Sequence, residues 1–239
     1  MYFGDINVKD SLDCILAHTM VINKKKFSKG TIITEIDKNY FISNKIRTIV
    51  CAKLDKNDFH EDKAANIIAE TFHNNSIATE KAYTGRANIL ANKSGLLVID
   101  EEKIRKFNKI SDDITIATLN NNSTVKKGEM IATIKIISFA VKDSFIKKIK
   151  KTIYKKAISI NPYINKKCAL ILTHHKNKNE KLNSISERRV NERLKNLNCS
   201  LDITSYCEHD TKEISKKINI ILKKKIDLIM ILGSSAIVD

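Results

Sequence analysis

The sequence predicts a mixed α/β protein, in which a β-rich, α+β module with short helices precedes a parallel-sheet domain. From Lys166 onward, apolar strand-like runs alternate with amphipathic helical runs in the order β-α-β-α-β, which is typical of a parallel sheet with right-handed crossovers. Before that point, residues 77–141 contain several short runs of strand character. We therefore assign residues 1–160 to the N-terminal module and residues 166–239 to the parallel-sheet domain.

The charge of the chain is strongly positive, at +16 over 239 residues. Such a charge favours anionic partners, which include nucleic acids, anionic membranes and phosphorylated small molecules. Only six of the 43 basic residues are arginine, however, and aromatic residues make up 6% of the chain. Nucleic-acid-binding proteins use arginine for bidentate contacts and aromatic rings for base stacking. We therefore interpret most lysines as solvated surface and keep a lysine-rich nucleic-acid-binding protein as an alternative hypothesis.

Cysteine usage and hydropathy predict a cytoplasmic protein. The five cysteines include no C-x-x-C pair, so they indicate neither a disulfide framework nor a zinc ribbon. Asp5, Asp10 and Asp13 interrupt the apolar stretch that a signal peptide would need. No apolar run reaches the roughly 18 residues of a membrane-spanning helix, so we expect no membrane partner.

The elements of the N-terminal module are predicted from short periodic runs. A first helix is expected over residues 8–16, because Val8, Leu12 and Ile15 fall on one face. Further helices are expected over residues 36–41, 64–69, 101–107 and 143–157, and strands over residues 49–52, 77–82, 95–99, 115–119 and 130–139. The 143–157 helix is rich in lysine and is interpreted as a solvated connector that leads to the domain boundary at Asn161-Pro162.

Two motifs in this module invite a functional interpretation. The triplet His60-Glu61-Asp62 suggests a metal site, but acidic residues in the first turn of a helix also complement the helix dipole, and adjacent helical residues point in different directions. We therefore favour the structural interpretation. Thr84-Gly85-Arg86 is predicted to be a tight loop whose arginine could contact an anion. Spacing alone indicates no catalytic constellation in this region.

The second domain is predicted element by element from Lys166. The expected strands cover residues 168–173, 201–206 and 228–232. Ser184 and Glu187 fit a capping box that opens the first helix, and the second helix begins near Thr211. Because residues 228–232 are all apolar, the third strand is expected to be covered on both faces.

The third strand runs into the small-residue turn Gly233-Ser234-Ser235-Ala236. Ligands of open α/β sheets lie beyond the carboxyl ends of the strands, and backbone N–H groups of such a turn can approach a phosphate closely. The turn is also compatible with an ordinary connection between a strand and a helix. No G-x-G-x-x-G motif and no P-loop lysine is present, which disfavours dinucleotide-binding and NTPase functions.

Taken in order, six short runs resemble the molybdopterin-binding proteins of molybdenum cofactor biosynthesis. In this family an N-terminal module similar to that of molybdopterin molybdotransferases is joined to an adenylyltransferase-like α/β domain. The matching runs are Leu16-Ala17-His18, residues 29–37, residues 60–65, residues 84–88, residues 128–137 and residues 233–239. Each run is short, but together they cover nearly the whole chain.

The resemblance implies that the second domain is of molybdopterin-binding type and holds the pterin phosphate at the loop after the third strand. The implied cofactor-binding residues are Gly233, Ser234, Ser235, Ala236, Asp239 and Thr173. Transferases of the superfamily carry a T-G-G-T-G type of loop, from which Gly233-Ser234-Ser235-Ala236 departs, and no catalytic residue is assigned. Whether the protein is a transferase or only carries the cofactor stays open.

The resemblance also implies partners. These are molybdopterin or its nucleotide form, a nucleotidyltransferase that matures the cofactor, and a second copy of the chain in a homodimer. Mg²⁺ would accompany a nucleotide or molybdate, but the sequence shows no ligand set for it. Because the superfamily domain is about twice as long as the part that follows Pro162, we expect the chain to be truncated at its C-terminus. An inactive fragment is therefore a further alternative.

Overall fold

The protein is mixed α/β, and its computed structural model describes residues 1–153, 157–175 and 180–233. The chain divides into two compact units, Met1–Pro162 and Tyr163–Asp239. Within the described residues, the first unit contains antiparallel sheets and the second contains one three-stranded parallel sheet. In these residues, no helix is both long and apolar enough to cross a membrane.

The first unit contains fourteen strands and four α-helices among the residues that the structure describes. The strands are β1 Tyr2–Asn7, β2 Ile15–Leu16, β3 Met20–Ile22, β4 Lys25–Phe27, β5 Thr48–Lys53, β6 Asp58–His60, β7 Ile77–Thr79, β8 Arg86–Ala91, β9 Gly95–Ile99, β10 Ile114–Thr118, β11 Thr124–Val125, β12 Met130–Ile136, β13 Ala140–Lys142 and β14 Ile158–Pro162. The helices are α1 Glu35–Ser43, α2 Glu61–Glu70, α3 Glu101–Asn108 and α4 Asp143–Thr152.

The prediction of a helix over residues 8–16 is wrong. A single 3-10 turn, Val8–Asp10, is followed by Asp13 in the left-handed region at φ 61° and then by β2. Ser11 explains the interruption, because its buried hydroxyl donates to the Val8 carbonyl at 2.8 Å. A side chain that bonds to the local backbone in this way competes with helix formation.

The larger core of the first unit lies between α2 and α4 and the sheet β10-β12-β8-β7. The predicted strand over residues 130–139 is divided in the structure, since β12 pairs with β8 and β10 whereas β13 pairs with β6. The loop expected at Thr84-Gly85-Arg86 is a turn at Thr84 and Gly85, after which β8 begins. The apolar side of α4, with Ile146 and Ile149, is buried in this core.

In the second unit the predicted order of strands and helices is confirmed. The elements are β15 Lys167–His174, α5 Glu180–Asn196, β16 Ser200–Glu208, α6 Thr211–Leu222 and β17 Leu228–Leu232. β15 is central and pairs in parallel with both β16 and β17.

Two details of this unit differ from the prediction. Ser184 does not cap α5, because the helix includes Glu180 and the Ser184 hydroxyl donates to the Lys181 carbonyl within it at 2.9 Å. The third strand is not covered on both faces, since Leu228 is 48% exposed and Leu232 is 42% exposed. Its position explains this exposure, because β17 pairs only with β15 among the described strands.

Candidate functional site

The carboxyl ends of the three parallel strands meet around Thr173. This residue lies near the end of β15, is 5% exposed, and is paired with Cys207 of β16 in the sheet register. Its Oγ1 lies 2.8 Å from Nδ1 of His209, just beyond β16, and 3.3 Å from the carbonyl oxygen of Leu232 at the end of β17. A single hydroxyl therefore connects all three strand ends at the edge where parallel sheets bind ligands.

The donor and acceptor roles at this hydroxyl depend on the tautomer of His209. The Leu232 carbonyl can only accept, so a hydroxyl that donates to it must accept from a protonated Nδ1 of His209. In the neutral imidazole Nε2 is then an acceptor, and in the imidazolium it becomes a second donor. A protonated His209 would therefore offer an N–H donor and a positive charge to an anion at this edge.

Two further histidines surround His209. The rings of His175 and His209 lie 5.2 Å apart between centroids, and the His209 backbone N–H donates to the His174 carbonyl at 2.8 Å. His175 and His209 are exposed, so both rings are accessible to a ligand. Within the described part of the chain, no group of three or more metal-ligating side chains is suited to hold a metal ion.

The structure places two of the six predicted cofactor-binding residues. Thr173 is at the carboxyl edge, and Gly233 is exposed and follows directly after the Leu232 carbonyl that Thr173 contacts. The other four predictions, Ser234, Ser235, Ala236 and Asp239, lie outside the described residues. The sequence analysis did not predict His209 as a site residue. Its position just after the second predicted strand could have indicated it, because ligands lie beyond the carboxyl ends of parallel strands.

The first unit holds a separate cleft of about 620 Å³. Four runs that were identified separately in the sequence contribute to its walls, through residues 29–31, residues 60–62, Thr84 and Lys135. Tyr83, Ile137 and Phe139 complete the lining.

The His60-Glu61-Asp62 triplet does not converge on one point in this cleft. His60 is the N-cap residue of α2 and its Nδ1 accepts from the Asp62 backbone N–H at 3.3 Å. Asp62 Oδ1 accepts from the Gly85 N–H at 2.6 Å and so holds the Thr84–Gly85 turn. The third member of the triplet is Glu61. Burial raises the pKa of its carboxyl, and electrostatic interactions with His60, Lys135 and Lys29 partly oppose this shift.

Comparison of the chain with models of protein families gives no match, and comparisons with curated proteins and with solved structures likewise give no similar protein.

Proposed function

We propose that the protein binds molybdopterin and acts in molybdenum cofactor biosynthesis, with the pterin phosphate at the loop that follows β17. The observation that carries the proposal is the meeting of Thr173, His209 and the end of β17 at the carboxyl edge of the parallel sheet. Backbone N–H groups after Gly233, the Ser234 and Ser235 hydroxyls and a protonated His209 would supply donors to a phosphate.

The proposal includes the finer assignment of the second unit as a domain of molybdopterin-binding type. Its support is the β-α-β-α-β order with a central first strand, together with the six runs of the resemblance. The net charge of +16 favours an anionic ligand because it raises the local concentration of anions. A homodimer and a nucleotidyltransferase partner belong to the same proposal and rest on the resemblance, whereas a cytoplasmic location rests on the cysteine usage and hydropathy of the sequence.

The experiment is a titration of the full chain with molybdopterin, followed by pterin fluorescence. Saturable binding is expected for the natural chain, and Ser234→Arg should abolish it because it replaces a hydroxyl donor of the proposed site by a much larger side chain. The matched control is Ser215→Arg, which introduces the same side chain at an exposed position of α6 in the same unit. This control should bind as the natural chain does.

Three outcomes would contradict the proposal. The first is the absence of binding by a chain that is folded by circular dichroism, and the second is equal binding by the two arginine variants. The third is a nucleic-acid ligand, which a salt series would reveal, since the affinity for a single strand falls with a log–log slope of about 0.7 per phosphate contact. Pterin binding involves one phosphate and should depend on salt only weakly.

A further inference from the structure

We propose that the cleft in the first unit binds a small anionic molecule with a guanine-like edge, meaning a planar ring that presents two adjacent N–H donors. Guanine nucleotides and phosphorylated pterins share this chemistry. The inference depends only on the residues of the cleft and is independent of the loop that follows β17.

The carboxylate of Glu61 is an acceptor that lacks a donor. No hydrogen bond or ion pair reaches it from the residues that the structure describes, although its own backbone N–H donates to the Phe139 carbonyl at 3.0 Å. The side chain is half-buried, so water solvates it incompletely. Such a carboxylate gains most from a ligand that donates to both of its oxygens.

The carboxylate of Glu61 packs against the turn beside it. Gly85 has a φ of +69°, and a Cβ atom at this residue would lie 2.9 Å from Glu61 Oε2 and 2.9 Å from the Ile136 carbonyl oxygen. Glu61 therefore packs directly against the glycine backbone, while Asp62 accepts from the Gly85 N–H at 2.6 Å. This packing restricts the Glu61 side chain, which reduces the freedom that it loses when a ligand binds.

The lysines around the cleft favour a ligand whose hydrogen-bond donors are neutral. Lys135 donates to the Thr84 carbonyl, and Lys29 lies over the Phe139 ring at 5.4 Å from its centroid. Neither lysine has an acidic partner among the residues that the structure covers. A cationic donor such as a guanidinium would be repelled by these two ammonium groups. A neutral ring with paired N–H groups and an anionic substituent satisfies Glu61 and the lysines together.

The shape of the cleft agrees with a ligand of this size. A volume of about 620 Å³ lies within the range of small-molecule sites, which are typically lined by apolar and aromatic side chains with a few polar groups. Phe139 is held by stacking on Phe3, with 6.0 Å between ring centroids. Phe139 and Ile137 would contact the planar ring, and Lys29 and Lys135 would contact the anionic group.

The test is calorimetric titration of the full chain with four probes: GMP, neopterin monophosphate, AMP and inorganic phosphate. At least one of the first two should bind about tenfold more tightly than AMP, because AMP lacks the paired donors. The comparison of GMP with neopterin monophosphate shows whether the cleft prefers guanine nucleotides or phosphorylated pterins. Lys135→Met should weaken binding of all phosphorylated rings, since it removes a cation that they share.

Glu61→Gln is the decisive variant, because an amide offers one acceptor in place of two. It should abolish the preference over AMP and leave AMP binding unchanged. Glu101→Gln is its matched control, since Glu101 is the first residue of α3 as Glu61 is of α2. Equal affinities for GMP, neopterin monophosphate and AMP, no binding by the folded natural chain, or an unchanged preference in Glu61→Gln would each overturn the proposal. Thr173→Val should bind GMP normally, so this site and the loop after β17 are tested separately.

Discussion

The replacement of Thr173 by valine tests the carboxyl edge of the parallel sheet most directly. Valine has nearly the same shape and removes only the hydroxyl, which lies 2.8 Å from His209 Nδ1 and 3.3 Å from the Leu232 carbonyl oxygen. An intramolecular hydrogen bond contributes about 1 kcal/mol net, and the longer contact contributes less. We therefore expect the free energy of unfolding to fall by about 1–2 kcal/mol.

The effect of Thr173→Val on ligand binding should exceed its effect on stability. Without the hydroxyl, the His209 ring loses its hydrogen-bond partner on β15, and Leu232 loses a side-chain contact that supplements its pairing with Leu172. We expect the affinity for molybdopterin to fall about tenfold, which corresponds to about 1.4 kcal/mol. Urea unfolding followed by circular dichroism measures the first quantity, and the fluorescence titration measures the second.

Thr173→Ser provides the matched control for this prediction. Serine keeps the hydroxyl and removes one buried methyl group, at a cost of about 0.8 kcal/mol. The two variants should thus be similarly destabilised, but only valine should lose affinity. If Thr173→Ser binds as poorly as Thr173→Val, the hydroxyl has no role beyond packing. Unchanged binding in Thr173→Val would refute the argument that this edge is the ligand site.

Three further predictions concern stability. Gly95→Ala should destabilise the first unit by about 3 kcal/mol in urea unfolding, because the added Cβ would lie 2.2 Å from the Asn161 carbonyl oxygen. A free energy of unfolding equal to that of the natural chain would show that β9 and β14 can separate to make room for it. Asp210→Ala should lower the free energy of unfolding by about 1 kcal/mol, because Asp210 Oδ1 accepts from the Lys212 N–H at 2.8 Å. Asp210→Asn should lower it by less, and equal losses in the two variants would contradict the capping role. Burial raises the pKa of the Glu61 carboxyl above its ordinary 4.5. The preference of the folded state for the protonated carboxyl therefore favours folding below that pH, and this contribution to stability is lost as the pH rises through the raised pKa. Glu61→Gln should therefore raise the melting temperature relative to the natural chain at about pH 7 and not at about pH 4; the same difference at both pH values would contradict it.

The elements that the sequence predicted well are those with a local cause. The strand over residues 228–232 has the predicted bounds because it is a pure apolar run, and α6 begins at Thr211 because Asp210 caps it. The failures have non-local causes. The helix expected over residues 8–16 is absent because the Ser11 hydroxyl bonds to the backbone, as a buried serine must find a partner. The exposure of β17 depends on its position as an outer strand of the sheet. An apolar run does not reveal whether a strand is central or outermost.

The same distinction explains the candidate sites. Thr173 ends a predicted strand and is among the residues that the resemblance implies, whereas its contact with His209 depends on the parallel pairing of β15 with β16. The triplet at α2 is recognisable in the sequence as a motif, and helix geometry disfavours a shared metal site because consecutive residues are separated by about 100° around the axis.

That separation gives each member of the triplet a different task. His60 caps the helix and Asp62 holds the Gly85 N–H, so both are satisfied within the protein. Glu61 also lines the cleft, and its carboxylate receives no donor from the described residues. A negative charge in the first turn of α2 complements the helix dipole, and His60, Lys135 and Lys29 partly offset the burial of the Glu61 carboxylate. Its partial desolvation without a donor acts against these effects, and glutamine would fit the same space without that cost. A ligand that donates to Glu61 explains the residue, which is why the glutamine variant distinguishes a binding site from a structural one.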